Sequence, residues 1–288
     1  MRGMPTAHEL LKDAERRLKA SEAIDHPHAG KEWIEAEELL AFVVGSEPDE
    51  DDEIPSPALA TFRKLLARRE TGEPLAYVLR RTRFKDLTLE ITPGAFIPRE
   101  SSEFMADLAI RRLRRRPQAT HIDMATGIGP VALAVAHALP KARVFGVDVS
   151  SRPLVLARRN AAKLRIRNAT FLRGDLFASV PRSLRGSVDV ITIHPPYVAR
   201  REMRDLPEEI LRFEPPESLT DGSRTGLRLL TRVADEGPLW LRPGGWLLVE
   251  VSPDRSREVS TVMRRAGFGD VRSVKGEVPF SRVVVGRT

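Results

Sequence analysis

Val188-Asp189-Val190-Ile191-Thr192-Ile193-His194-Pro195-Pro196-Tyr197 has the pattern of a buried strand that ends in a double-proline turn. Its first six residues form a short apolar run of strand length, closed by a break. Neither proline has an N–H to donate, so the two together cannot continue a sheet ladder and lock the chain into an extended turn. In an open α/β sheet, ligands sit outside the carboxyl ends of the strands. A rigid turn there, with free carbonyls, a histidine before it and a tyrosine after it, can hold a small polar group.

Outward from this strand the pattern alternates. Strands are read at His121–Met124, Arg143–Val147, Thr170–Leu172, Val188–Ile193 and Trp246–Val251, with helices between most of them. Alternation of this kind predicts a parallel, doubly wound sheet. Asp270–Val274 and Arg282–Val285 follow without an intervening helix, joined through Gly276 and Pro279, and predict a terminal antiparallel hairpin. On the N-terminal side, Leu10, Leu11, Ala14 and Leu18 fall at helical spacing, as do Trp33, Ala36, Leu39, Leu40 and Val43; a further helix spans Ala58 to Glu70. Thr82-Arg83-Phe84 and Leu87-Thr88-Leu89-Glu90-Ile91 alternate like strands about Lys85-Asp86 and predict a hairpin. A helix from Ser101 to Arg115 follows, with Ser101 or Ser102 as its N-cap. The division expected is a helical domain over 1–74, a β-hairpin linker over 75–95 and an α/β domain over 96–288.

The first strand of the sheet runs into Asp123-Met124-Ala125-Thr126-Gly127-Ile128-Gly129-Pro130 and then a helix. Small residues and two glycines let the backbone turn tightly and approach a ligand at a helix N-terminus. Gly127 to Ala132 also fits the G-x-G-x-x-A dinucleotide fingerprint, which alone is a weak signal. Three strand-end carboxylates favour S-adenosylmethionine over a dinucleotide. Asp123 precedes the loop, where it can reach an ammonium; Asp148 ends the second strand, placed for ribose hydroxyls; Gly174-Asp175 follows the third, where a carboxylate or adjacent amides can read adenine. Each alone is an ordinary turn or cap residue; three at successive strand ends read as a cofactor site.

Composition narrows the classes. The chain has no cysteine, which removes disulfides, thiolate metal sites and thiol nucleophiles. Its histidines (8, 26, 28, 121, 137, 194) make no spaced ligand set, with His26-Pro27-His28 in a loop, so no metal is expected. No stretch has membrane-spanning length and the N-terminus lacks an apolar signal core, so a cytoplasmic protein is expected. The net charge of +7 divides into −9 for residues 1–60 and +16 for the remainder. A basic body suits an anionic partner, yet the densest run, Arg111 to Arg116, also suits a helix C-terminus. A nucleic-acid partner is therefore not favoured.

Taken together, these motifs resemble the N5-glutamine methyltransferases that modify peptide-chain release factors, the HemK or PrmC family. The resemblance covers nearly the whole chain. Gly72-Glu73-Pro74-Leu75-Ala76-Tyr77, Phe96-Ile97-Pro98-Arg99 with Glu103, the loop Ala125–Gly129, His194–Tyr197 in the place of Asn-Pro-Pro-Tyr, and Arg212-Phe213-Glu214-Pro215 with Leu219 carry it in order. It implies a seven-stranded, Rossmann-like class I methyltransferase domain, a helical domain that docks a protein substrate, and methyl transfer from S-adenosylmethionine to a side-chain amide in translation termination. By position it implies that Asp123, Ala125, Thr126, Gly127, Ile128, Gly129 and Asp148 hold the cofactor, with Asp175 and Leu176 near adenine. His194, Pro195, Pro196 and Tyr197 would hold the acceptor, with His194, Pro195 and Tyr197 as the catalytic set, and Phe96 and Arg99 would shape the mouth.

Three positions depart from the family pattern. Ala125 replaces a glycine, a mild change where φ is negative; Glu100 replaces a proline; His194 replaces the asparagine. In the family pattern the asparagine oxygen and the first proline's carbonyl each accept an N–H of the acceptor amide. A neutral imidazole keeps one acceptor nitrogen, loses the amide's donor, and gains proton acceptance near neutral pH. His194 as an orienting base would suit an amine, hydroxyl or imidazole acceptor; His194 as drift would leave a poor enzyme. The competing functions are a nucleic-acid amino-group methyltransferase, which shares the Pro-Pro-Tyr turn, and a cofactor-binding pseudoenzyme with a ribosomal or nucleic-acid partner. A nicotinamide oxidoreductase lacks any hydride-transfer set here.

Overall fold

The computed structural model describes residues 4–26, 30–278 and 281–288. Pro27-His28 of the expected loop and Pro279 of the expected terminal junction lie outside the described residues. The chain forms two compact units, one of residues 1–81 with 205–213, the other of 82–204 with 214–288.

The first unit is helical. Ala7–Lys19 opens on a capping box, in which the Thr6 hydroxyl accepts from the Glu9 amide and the Glu9 carboxylate accepts from that of Thr6. Leu10, Leu11, Ala14 and Leu18 of this helix pack with Ala36, Leu39 and Leu40 of Lys31–Val44 and with Phe62 and Leu66 of Ser56–Glu70. Inside this unit the Arg69 guanidinium is fully buried, bonded to both Glu35 oxygens at 2.8 and 3.2 Å and to Glu209 at 3.2 Å. A buried guanidinium is tolerated only when its donors are met this completely. Glu209 lies on Glu208–Phe213, far along the chain. The stretch after Glu70 holds a short helix, Leu75–Leu79, which the alternation of apolar residues does not reveal.

In the hairpin, β1 (Arg81–Phe84) pairs with β2 (Leu87–Glu90). Asn160 clasps β2 from the helix Ser151–Lys163, accepting from the Glu90 amide at 2.7 Å and donating to its carbonyl at 3.1 Å.

The large sheet has seven strands: β3 (Thr120–Met124), β4 (Arg143–Asp148), β5 (Ala169–Arg173), β6 (Val188–Ile193), β7 (Leu241–Glu250), β8 (Gly269–Lys275) and β9 (Arg282–Arg287). Their spatial order is β5-β4-β3-β6-β7-β9-β8. Strands β3 to β7 are parallel; β9 runs antiparallel to β7 and β8 antiparallel to β9. Every residue of β6 is buried, as a central parallel strand covered on both faces requires. The order reverses at β3 and β6, which makes their shared carboxyl edge the switch point where ligands bind. Strand β7 begins at Leu241, earlier than its apolar run indicates.

Two local expectations fail. The helix Ser101–Leu113 has Glu100 at its N-cap and no side-chain cap, because the Ser101 and Ser102 hydroxyls turn to other partners. The helix also ends at Leu113, so the rest of the Arg111–Arg116 run lies beyond it.

Candidate active site

On the carboxyl edge of β3 the chain turns through Ala125 to Gly129 into the helix Pro130–Ala138. Gly127 has φ +57°, and a Cβ placed there would meet no protein atom within 4 Å, so its backbone faces open space. Its N–H donates to Asp148 Oδ2 at 2.9 Å, and the Ser150 N–H donates to Oδ1 at 2.9 Å. Half-buried at the end of β4, the Asp148 carboxyl is held above its ordinary range because burial disfavours its charge. Ala125 has φ +52°, which corrects the expectation of a mild change: the alanine occupies the left-handed region, where glycine is unstrained.

Asp123 is buried within a relay that sequence reading does not disclose. Thr126 Oγ1 donates to Asp123 Oδ2 at 2.6 Å, and Thr192 Oγ1 donates to Oδ1 at 2.6 Å. With its hydrogen spent on Asp123, the Thr192 hydroxyl accepts from His121 Nε2 at 2.8 Å. His121 is therefore neutral and Nε2-protonated; full burial pushes it down to about 3. Burial likewise pushes Asp123 up to about 6, against the two hydroxyl donors that favour its charge. Alternation marks Thr192 as an interior strand residue; only its pairing opposite Asp123 in the β3–β6 register exposes its role.

A cavity of about 220 Å³ runs from this edge past the end of β6. Asp123, Ala125, Thr126, Gly127, Ile128, Asp148, Asp175 and Leu176 line one part; Phe96, His194 and Pro196 line another. Gly129, Arg99, Pro195 and Tyr197 are not among the residues that line it. The exposed Asp175 carboxylate is paired with Arg232 through two bonds, at 3.0 and 2.9 Å.

Past the end of β6, the His194 ring stacks on Tyr197 (centroids 5.7 Å, 20°) and meets the Phe96 ring edge-on (5.5 Å, 89°). The Arg99 guanidinium lies 4.5 Å over Phe96 and donates to Glu214 Oε1 at 2.5 Å. Glu214 Oε2 accepts the Ile97 amide at 3.2 Å, which clips the mouth segment in place. The Pro196 carbonyl accepts from Asp221 N at 3.1 Å, whereas no donor among the described residues takes the Pro195 carbonyl. Burial, with the negative Glu250 next in effect, pushes the Tyr197 phenol up to about 12. Gly226 packs beneath the turn: a Cβ there would lie 2.1 Å from the Tyr197 carbonyl oxygen.

The cavity's features suit S-adenosylmethionine. A glycine backbone faces open space, a strand-end carboxylate is fixed by two amides, and a second carboxylate lies at the floor. Among the described residues, no cluster of three or more His, Asp or Glu could hold a metal, and no helix is long and apolar enough to cross a membrane.

This sheet and this edge define a class I methyltransferase, the S-adenosylmethionine-dependent fold class. The solved structures agree on the fold: a Pyrococcus furiosus methyltransferase aligns with TM-score 0.50 and 16% identity over 70% of this chain and 89% of its own. A T. thermophilus 16S rRNA methyltransferase, solved with AdoMet and guanosine, aligns with TM-score 0.52 and 18% identity over 72% of this chain and 49% of its own. Sequence comparison is more specific. Residues 9–79 match the PrmC N-terminal domain and residues 86–224 the Methyltransferase small domain. The release factor glutamine methyltransferase of Geobacter sulfurreducens is 33% identical over 96% of this chain and 94% of its own length. That of Xylella fastidiosa (strain 9a5c) is 33% identical over 99% and 98%. The chain belongs to the release factor glutamine methyltransferase family.

Proposed function

We propose that the protein methylates the side-chain amide nitrogen of a glutamine in a peptide-chain release factor, with S-adenosylmethionine as donor. The observation that carries this reading is the His194–Tyr197 turn at the switch point beside the Asp123 loop, where the Pro196 carbonyl is taken by the Asp221 amide and no donor among the described residues takes that of Pro195. The cofactor supplies a methyl group on a sulfonium, open to in-line attack. Asp123 and Asp148 would hold its charged and hydroxylated ends, with Ala125–Ile128 lining the same part of the cavity. The Pro195 carbonyl accepts one N–H of the acceptor amide and the His194 ring meets the other, which orients the nitrogen. Holding the nucleophile in line supplies much of the acceleration. Tyr197 and Phe96 wall the ring of His194 and exclude water.

The helical residues 1–74 dock the protein substrate, 75–95 link, and 96–288 carry the chemistry. A protein substrate, and the release factor in particular, is supported by the relatives named release factor glutamine methyltransferase. The test is incubation with a purified release factor and methyl-labelled donor, followed by peptide mass spectrometry. One methyl group on a glutamine is expected; label only on RNA, or no transfer to release factor, would overturn the reading.

A further inference from the structure

Glu250 ends β7 with its side chain only 4% exposed, and its two oxygens have different fates. Oε1 accepts from Ser101 Oγ at 2.6 Å. Oε2 is buried and has no hydrogen-bond partner among the described residues; it lies 3.5 Å from His194 Nδ1. An unmet carboxylate oxygen in a buried place is costly, so what faces it should be a donor. A carboxylate only accepts, and an imidazole nitrogen facing it lowers the energy by carrying the proton.

We propose that Glu250 is a positioning residue that holds His194 in the Nδ1-protonated form, leaving Nε2 as the proton acceptor for the methylation reaction. The inference rests on the methyltransferase reading above and deepens it. Among the described residues no protein group bonds Nε2, and the residue lines the cavity. The ring itself is clamped by Tyr197 and Phe96, so the orientation is fixed before substrate arrives. N-methylation releases a proton. The acceptor nitrogen's electron pair forms the new bond to carbon, the carbon–sulfur pair stays on sulfur, and the nitrogen's proton passes to His194 Nε2. The resulting imidazolium faces the Glu250 carboxylate, and the proton then leaves to solvent. A histidine in place of an amide side chain thus supplies a function the amide lacks, and Glu250 determines which of its nitrogens does so.

Ser102 is the competing partner. Its hydroxyl stands 3.3 Å from the same Nδ1 and could donate to it, which would put the ring proton on Nε2 instead. The other ionisable groups facing the ring are the Tyr197 phenol beneath it and Arg99, behind Phe96 and paired with Glu214.

The test begins with ¹H–¹⁵N NMR of the histidine-labelled full-length protein without substrate. His194 is expected to show protonated Nδ1 and bare Nε2 in the wild type and in Ser102→Ala, and to lose that preference in Glu250→Gln. A wild-type ring protonated on Nε2, or a Glu250→Gln ring identical to wild type, overturns the proposal, as does loss of the Nδ1 proton in Ser102→Ala alone. On release factor, Glu250→Gln should lower kcat by about 100-fold with little change in KM, and should move the acidic limb of the pH–rate profile. His194→Asn should abolish that limb and make Glu250→Gln without further effect on it. An unmoved limb in Glu250→Gln overturns the proposal. Absence of glutamine methylation by the wild type would sink the functional reading instead, while the NMR arm still decides the Glu250–His194 relationship.

Discussion

The Thr192 hydroxyl and the Asp123 carboxylate, paired opposite each other on β6 and β3, meet at 2.6 Å beneath the cofactor cavity. Thr192 also accepts from His121, so one hydroxyl orients the carboxylate and fixes the imidazole tautomer together. Thr192→Val keeps the shape and removes both bonds. Leaving a buried donor unmet costs about 1–3 kcal/mol. The variant should lose stability by that amount in denaturant titration and bind S-adenosylmethionine about tenfold more weakly by calorimetry, one factor of ten being about 1.4 kcal/mol.

Two buried groups in this relay titrate with opposite consequences. Asp123, raised to about 6 from 3.8, holds its proton more tightly when folded, so its contribution to stability falls as pH rises through that window. His121, lowered to about 3 from 6.5, must stay neutral when folded, so its contribution falls as pH drops through 6.5. In the wild type the two oppose each other. His121→Gln removes the second, and its stability should rise on acidification from pH 6 to pH 4, measured by urea unfolding at fixed steps. A wild-type-like slope would count against the buried neutral imidazole.

As the proposed partner of the cofactor's ammonium, the same carboxylate makes affinity depend on its charge. An ammonium binds the ionised form, so S-adenosylmethionine should bind progressively more weakly below about pH 6. Asp123→Asn should bind more weakly throughout and reduce the slope. A residual slope is expected from Asp148, whose carboxyl is raised in the same direction.

Ala125 at φ +52° stores backbone strain beside the cofactor loop. A left-handed alanine costs about 1–2 kcal/mol, partly offset by the greater unfolded-state entropy of glycine. Ala125→Gly should raise stability by up to about 1 kcal/mol and increase Tm in a thermal melt.

Gly226 separates acceptor geometry from cofactor binding. A Cβ 2.1 Å from the Tyr197 carbonyl oxygen forces the turn to move, and φ +68° adds strain. Since a displacement of about 1 Å at a reacting group can cost about 100-fold, Gly226→Ala should reduce kcat on that order. Its affinity for S-adenosylmethionine, measured by calorimetry, should match the wild type.

Residues at strand ends were the legible part of this site. His194–Tyr197, Asp123 and Asp148 each follow an apolar run, and a break after such a run is a local signal. The seven strands were legible for the same reason, although β7 begins earlier than its apolar core because Arg242-Pro243-Gly244-Gly245 carries no strand pattern. What stayed hidden depends on tertiary register. Thr192 and His121 are unremarkable within their strands until β3 and β6 pair. Glu250 reads as the end of a buried strand until Ser101 and His194 are brought against it. Ser101 and Ser102 look like caps because a serine before a helical run ordinarily is one; here their hydroxyls serve the site instead. The sign of φ at Ala125 is likewise set by the turn's closure against β4, where the Thr126 amide bonds the Val147 carbonyl at 3.0 Å.

The strand order also governs the sequence of events as the chain is made. Strands β3, β4 and β5 lie together within residues 120–173, joined by short crossovers, so this half of the sheet closes small loops at modest entropic cost. The other edge of β3 waits for β6 at Val188–Ile193, and β6 waits for β7 at Leu241–Glu250. During N-to-C synthesis β4 therefore has both its neighbours while the β3 and β6 edges are still incomplete. Glu250, the last residue of β7, reaches His194 only once that strand is in place.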